Sequence, residues 1–128
     1  MKVLLDTHTF LWWNTGDAQL SARARDVIAE GSNEVFISAA SAWEIAIKAA
    51  KGRLILPEPP SGYIPSRMGL HRFRPLPVQI KHAAYIHDLP RHHEDPFDRL
   101  LVAQCQMESL PILTADSDFA LYGVDIIW

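Results

Sequence analysis

A three-layer α/β/α fold around a central, mainly parallel five-stranded sheet is what this sequence predicts, on three observations. Short apolar runs alternate along the chain with longer helical patterns, the signature of strand–helix–strand units. The first run, Val3-Leu4-Leu5, is apolar on both faces and reads as a buried strand in the middle of a sheet. Acidic residues, Asp6 first among them, follow such runs. In open parallel sheets, ligands sit beyond the carboxyl ends of the strands.

The totals agree with a single domain over residues 1–128. Hydrophobic residues make up 48% and charged residues 21%, enough apolar surface for a core and too little charge for a disordered chain. A formal net charge of −3 excludes a nucleic-acid binder that relies on bulk positive charge. One cysteine, Cys105, excludes an internal disulfide and an all-cysteine zinc site, and reads as a buried small hydrophobe. The N-terminal apolar run is too short for a signal peptide, and no run is long enough to span a membrane. The expectation is a soluble, cytoplasmic protein.

The elements follow in order. Thr7 to Trp13 forms a short apolar helix, closed by Asn14-Thr15-Gly16-Asp17, with Trp12 and Trp13 expected to pack inward rather than stack on bases, or to form a partner surface. Ser21 caps a helix through Glu30, with Gly31 at its C-terminal turn. Glu34 to Ser38 is the second strand. Ser41 to Lys51 is an alanine-rich helix ending at Gly52. Pro57, Pro59 and Pro60 then break the chain. A short helix over Ser61–Leu70, a third strand over Arg72–Leu76 and a helix over Val78–Leu89 come next. After the loop Pro90–Glu94, Asp95 is a good N-cap and Pro96 a good first helical residue for a helix running through Cys105. Pro111–Thr114 is the fourth strand, Ala115–Phe119 opens a short helix, and Asp125–Trp128 is the fifth strand. No glycine-rich phosphate loop follows any strand, against a dinucleotide or P-loop site.

This order brings several acids to one edge of the sheet. Asp6 ends the first strand; Glu44 lies early in the helix after the second; Asp95 and Asp98 open the helix before the fourth; Asp116 and Asp118 follow it. Asp95 and Asp98 are three apart and share a helix face. Each acid has an ordinary alternative: Asp6 and Asp95 as helix caps, Glu44 as the partner of Ser41 in a capping box or of Lys48 in an ion pair. Four carboxylates brought close together repel and require protons or cations. An oxygen-only set favours magnesium or manganese, whose chemistry suits hydrolysis of a phosphate ester.

The segments Asp6-Thr7, Trp43-Glu44-Ile45, Asp95-Pro96-Phe97-Asp98-Arg99-Leu100-Leu101-Val102-Ala103-Gln104 and Leu113-Thr114-Ala115-Asp116 together resemble the motifs of PIN-domain ribonucleases, nearest to the VapC toxins of toxin–antitoxin pairs. The resemblance runs the length of the chain in the right order, and its Asp-Pro-Phe-Asp-Arg block is specific to one branch. It implies a PIN-like fold and a magnesium-dependent endoribonuclease, with manganese as a substitute, that cuts structured RNA such as transfer or ribosomal RNA. It also implies a cognate VapB-like antitoxin and a homodimer. By position Asp6, Glu44 and Asp116 resemble the first, second and fourth family acids. Asp98, five residues before Ala103, resembles the third, which leaves Asp95 as the helix cap. Thr114 resembles the small hydroxyl residue near the fourth acid. Asp95, Thr114, Asp118 and Arg99 are then supporting or substrate-contacting candidates.

Five of the six histidines fall between His71 and His93. His92-His93-Glu94 lacks zinc-ligand spacing and reads as a polar loop. With Arg67, Arg72, Arg74, Lys81 and Arg91, and Asp88 the only acid between residues 67 and 93, the segment is also expected to offer RNA a basic approach. Arg99 is expected to hold a phosphate or to pair with an acid. Two other function classes remain. A phosphatase or phosphotransferase with Asp6 as nucleophile is weakened because His8 stands where haloacid-dehalogenase-like enzymes carry a second Asp. A non-catalytic binding module, in which the acids only cap helices, predicts no loss of metal affinity in Asp6→Asn.

Overall fold

The computed structural model describes residues 1–128. Five strands, β1 (Lys2–Leu5), β2 (Glu34–Ser38), β3 (Arg74–Leu76), β4 (Ile112–Leu113) and β5 (Ile126–Ile127), form one sheet in the order β3-β2-β1-β4-β5. Every neighbouring pair is parallel. The N-terminal strand lies at the centre, as its apolar character on both faces requires. Six α-helices accompany it: α1 (Thr7–Thr15), α2 (Ala22–Ala29), α3 (Ala39–Ala50), α4 (Pro60–His71), α5 (Ile80–Tyr85) and α6 (Pro96–Glu108).

Alternation along β1 divides the core into two layers. Val3 and Leu5 pack with Phe10, Leu20, Ile28 and Tyr63 on one face of the sheet. Leu4 packs with Leu101, Val102, Cys105 and Phe119 on the other. The two faces of β4 and β5 divide the same way, with Leu113 and Ile127 on the first and Ile112 and Ile126 on the second. Trp12 and Trp13 pack against the first layer as half-buried residues. Cys105 is buried, and burial pushes its thiol up to about 12, as expected of an inert core residue.

Local differences from the sequence-based expectation have identifiable causes. Helix α3 starts two residues earlier than expected, because Ser38 caps it: its Oγ accepts the Ala40 N–H at 3.0 Å. Ser41 therefore lies inside the helix and forms no capping box with Glu44. Helix α2 stops at Ala29 with Glu30 extended, so Gly31 is not its left-handed residue. Gly16, at φ +66°, fills that role for α1. The expected helix over Val78–Leu89 is shorter, spanning Ile80–Tyr85 with a 3-10 turn at Ile86–Asp88. Leu89 precedes Pro90 and leaves helical space, as residues before proline do. The segment after β4 is a 3-10 turn, Ser117–Tyr122.

Candidate active site

Parallel strands send their carboxyl ends to one edge, and three of the four predicted acids enter from there. Asp6 follows β1, Glu44 lies on α3 just after β2, and Asp116 follows β4. Asp98 joins them from the first turn of α6. Both Asp6 and Glu44 are buried, at 6% and 3% exposure.

Each carboxylate is held in its own way. Asp6 uses both oxygens: Oδ1 accepts the Thr7 N–H at 2.6 Å, and Oδ2 accepts the Thr114 hydroxyl at 2.7 Å. It is thus both the N-cap of α1 and the partner of a residue more than a hundred positions away in sequence. Thr114 in turn accepts the Asp116 N–H at 3.0 Å, which ties the first and fourth acids together through one hydroxyl. Asp116 caps the following 3-10 turn by accepting the Asp118 N–H at 2.9 Å. Glu44 accepts the Thr7 hydroxyl at 2.8 Å, and its other oxygen pairs with Lys48 one turn on. Ser41 Oγ lies 2.9 Å from Thr7 Oγ1. Since Thr7 gives its single proton to the carboxylate, Ser41 is the donor of that contact. Neighbouring residues Thr7 and Ser41 therefore support the acids. Their signal in the sequence is only that of small polar residues beside an acid.

Asp98 differs from the other three. No hydrogen-bond donor reaches its carboxylate, whereas Asp6, Glu44 and Asp116 each accept at least one. Burial, followed by the charges of Asp6, Asp95, Glu44 and Asp116, pushes it up to about 8. Asp6 is raised as well, mainly by burial, with the Glu44 charge adding to it. Asp98 is thus within electrostatic reach of Asp6, Glu44 and Asp116, and Asp6 within reach of Glu44. Asp95 is different: exposed, it caps α6 by accepting the Phe97 and Asp98 N–H groups at 2.9 and 3.0 Å. Asp118 is exposed and is not among the charges that act on Asp6 or Asp98.

Arg99 neither pairs with an acid nor faces open solvent. Its guanidinium donates to the carbonyls of Pro90, Ile86 and Leu89 at 2.9, 3.1 and 3.4 Å, and to the Tyr122 hydroxyl at 3.2 Å. It fastens the segment after α5 to α6. The expected basic approach is also altered. Arg74 pairs with Glu34 at 3.0 Å, at the amino ends of β3 and β2 and so opposite the acids. Lys81 pairs with Glu108 at 3.1 Å, at the far end of α6. Arg67 lies over the Tyr63 ring. Closer to the acids, Lys48 and Arg53 line a small pocket with Thr7 and His8. Lys48 is the ion-pair partner that the i,i+4 spacing offers Glu44; Arg53 was not singled out, because an arginine in the turn after a helix has no distinguishing pattern.

The histidine cluster does not form a metal site: no three His, Cys, Asp or Glu side chains close on a single point as ligands of one ion would. His82 is a buried core histidine whose Nδ1 accepts the Gln79 N–H at 2.9 Å while Nε2 faces Glu108 at 2.8 Å. The same holds of the acids: Asp6, Glu44 and Asp116 each act on Asp98 but do not converge with it as ligands of one ion would. The donor set itself, all oxygen and carrying far more negative than positive charge, fits a hard divalent cation.

Residues 3–124 match the family model of the PIN domain. The chain belongs to the PIN-domain family. It is similar to Ribonuclease VapC16 of Mycobacterium tuberculosis, with 43% identity over 61 residues, 48% of this chain and 43% of that protein. The chain thus spans less than half of that relative's length. Among solved structures, VapBC2 of Rickettsia felis bound to a promoter DNA fragment superposes with a TM-score of 0.72 at 14% identity, covering 99% of this chain and 98% of that one. FitAcB of Neisseria gonorrhoeae gives 0.64 at 21%, covering 100% and 97%. A toxin–antitoxin complex from Klebsiella pneumoniae gives 0.65 at 19%, covering 98% and 96%. At these identities the likeness is one of fold: this PIN domain has the five-stranded parallel sheet and flanking helices of those chains. No helix is long and apolar enough to cross a membrane.

Proposed function

We propose that this PIN domain is a metal-dependent endoribonuclease and the toxin of a VapBC-type toxin–antitoxin pair, acting in the cytoplasm on structured RNA such as transfer or ribosomal RNA. The observation that carries the reading is the buried acid group. Asp6 and Glu44 are buried, and the half-buried Asp98 is pushed up to about 8 by burial and by four neighbouring carboxylates, an arrangement of the kind that clusters at functional sites. The match to the PIN-domain model and the likeness to a VapC ribonuclease support the same direction.

In this reading Asp6, Asp98 and Asp116, with Glu44, hold one or two magnesium ions, and manganese can replace them. Such an ion supplies Lewis acidity, neutralising charge on the phosphoryl group and lowering the pKa of the attacking water. The chain's own part is orientation. Thr114 and the Thr7 N–H fix both oxygens of Asp6. Thr7 and Lys48 fix Glu44, which places a carboxylate where it can bind the ion or orient a water. Arg53, which lines a pocket with Thr7, His8 and the Glu44-paired Lys48, offers positive charge for the RNA backbone beside the acids. The resemblance to PIN-domain ribonucleases implies that water attacks phosphorus and the P–O3′ bond breaks, leaving a 5′-phosphate and a 3′-hydroxyl.

A cognate VapB-like antitoxin belongs to the same proposal, supported by a structural neighbour described as a toxin–antitoxin complex; the homodimeric state rests on the family resemblance alone. The experiment that tests it is RNA cleavage by the purified protein with magnesium. Asp6→Asn, Asp98→Asn and Asp116→Asn should each lower cleavage by more than roughly 100-fold, since even groups one shell behind a metal ligand are worth 10–100-fold. Wild-type rates in these variants would end the proposal.

A further inference from the structure

His93 has a protonation pattern that its neighbours dictate. The Tyr122 hydroxyl accepts from Arg99 Nη1 at 3.2 Å and from the His93 backbone N–H at 3.4 Å. A phenol oxygen with both acceptor positions taken still has one proton to give. The acceptor beside it is His93 Nδ1, at 3.4 Å. An imidazole that accepts at Nδ1 carries its proton on Nε2. That Nε2 is buried and has no hydrogen-bond partner. It lies 3.9 Å from Asp98 Oδ2, just beyond hydrogen-bond reach. Asp98, in turn, is the one carboxylate of the four that accepts no hydrogen bond. A buried donor without an acceptor therefore faces a half-buried acceptor without a donor, and a small side-chain adjustment joins them. Arg99 anchors the arrangement from behind, since the same guanidinium holds the carbonyls of Leu89 and Pro90, a few residues before His93.

We propose that His93 is a positioning residue: held as the Nε2–H tautomer by Tyr122 and Arg99, it donates to one oxygen of Asp98 and so turns the other toward a divalent cation. This rests on the metal-dependent reading above. Carboxylates that ligate metals are themselves hydrogen-bonded, and removing those partners typically costs 10–100-fold in affinity. Arg99, Tyr122 and His93 thereby form one chain of donors from the second core layer to the site.

The test is a calorimetric manganese titration of wild type, His93→Ala, His93→Gln and Asp98→Asn. Asp98→Asn should lose most of its affinity. His93→Ala should bind roughly 10–100-fold more weakly than wild type. His93→Gln, whose amide N–H stands near the Nε2 position, should recover most of the loss. Wild-type affinity in His93→Ala, with Asp98→Asn weakened, overturns the positioning role and leaves the metal reading standing. No manganese binding by wild type overturns both. A second measurement needs neither metal nor substitution: imidazole nitrogen shifts of His93 in the wild-type protein should report the Nε2–H tautomer, and the Nδ1–H tautomer would overturn the proposal.

Discussion

Asp98 is where the cost of this site is concentrated. It ionises at about 8 in the folded chain against an ordinary 3.8. A carboxyl whose folded value is raised contributes stability that is complete at low pH and lost as pH rises through the folded value. Asp6 shifts the same way. Without divalent cations, the protein is therefore expected to melt at progressively lower temperature as pH rises from about 4 to about 8, the window of the Asp98 shift. Glu30 and Glu108 are shifted down, with an effect below pH 4.5. His71, lowered by burial, adds stability as pH rises toward 6.5, so the fall due to Asp98 stands alone between about 6.5 and 8. Asp98→Asn should flatten the slope and raise the melting temperature at pH 8. Thermal melts in chelator across this range decide the matter, and a wild-type melting temperature that rises toward pH 8 contradicts it. Asp95 is a contrasting case. It caps α6 from an exposed position, so Asp95→Ala should cost about 1 kcal/mol in denaturant unfolding and leave RNA cleavage within a few-fold of wild type.

Helix α6 and the segment before it behave as one unit because of Arg99. A buried guanidinium with three carbonyl acceptors and a phenol closes the C-terminal end of the Ile86–Asp88 turn, where unpaired carbonyls collect. Arg99→Met keeps much of the side-chain volume but strands the Pro90 and Leu89 carbonyls, while the Ile86 carbonyl keeps the Leu89 N–H. It is expected to destabilise the fold by about 3 kcal/mol, from several buried groups losing partners at once, and to speed amide exchange first in residues 86–93. Exchange that rises evenly over the whole chain would contradict this local role. Much of the element order was readable from residue pattern: β1 from Val3–Leu5, α6 from the Asp95-Pro96 start, α3 from its alanines. What was not readable has a common cause. Ser38 rather than Ser41 caps α3, and Arg99 meets carbonyls rather than an acid. In each case the partner is chosen by tertiary placement that adjacent residues do not encode. The same is true of the basic segment after Arg67, where Arg74 and Lys81 turn out to pair with Glu34 and Glu108.

The molecule as a whole is a sheet whose two faces are filled by apolar layers and whose carboxyl edge is left to the acids. Because β1 is central and parallel to both neighbours, Asp6 emerges between the ends of β2 and β4. That position lets it meet Thr114 from one side and, through Thr7, Glu44 from the other. On sequence alone a parallel α/β order sends Asp6, Glu44, Asp95, Asp98, Asp116 and Asp118 to one edge, and only the resemblance to PIN-domain ribonucleases selects four of them. Their supporting hydroxyls, Thr7 and Ser41, could not be picked out, since a threonine beside an aspartate is also an ordinary helix start. Thr7→Val should keep the fold, because the residue is buried and the shape is conserved, yet leave Glu44 short of a donor. Its expected signature is a fall in RNA cleavage of roughly 10-fold with little change in melting temperature; unchanged cleavage would remove Thr7 from the account.

The most direct measurement is to map the RNA ends that the purified protein produces with magnesium, beside a sample treated with chelator. The account predicts cleavage only with the metal and fragments ending in a 3′-hydroxyl next to a 5′-phosphate. Cleavage that survives the chelator, or fragments ending in a 2′,3′-cyclic phosphate, would contradict it.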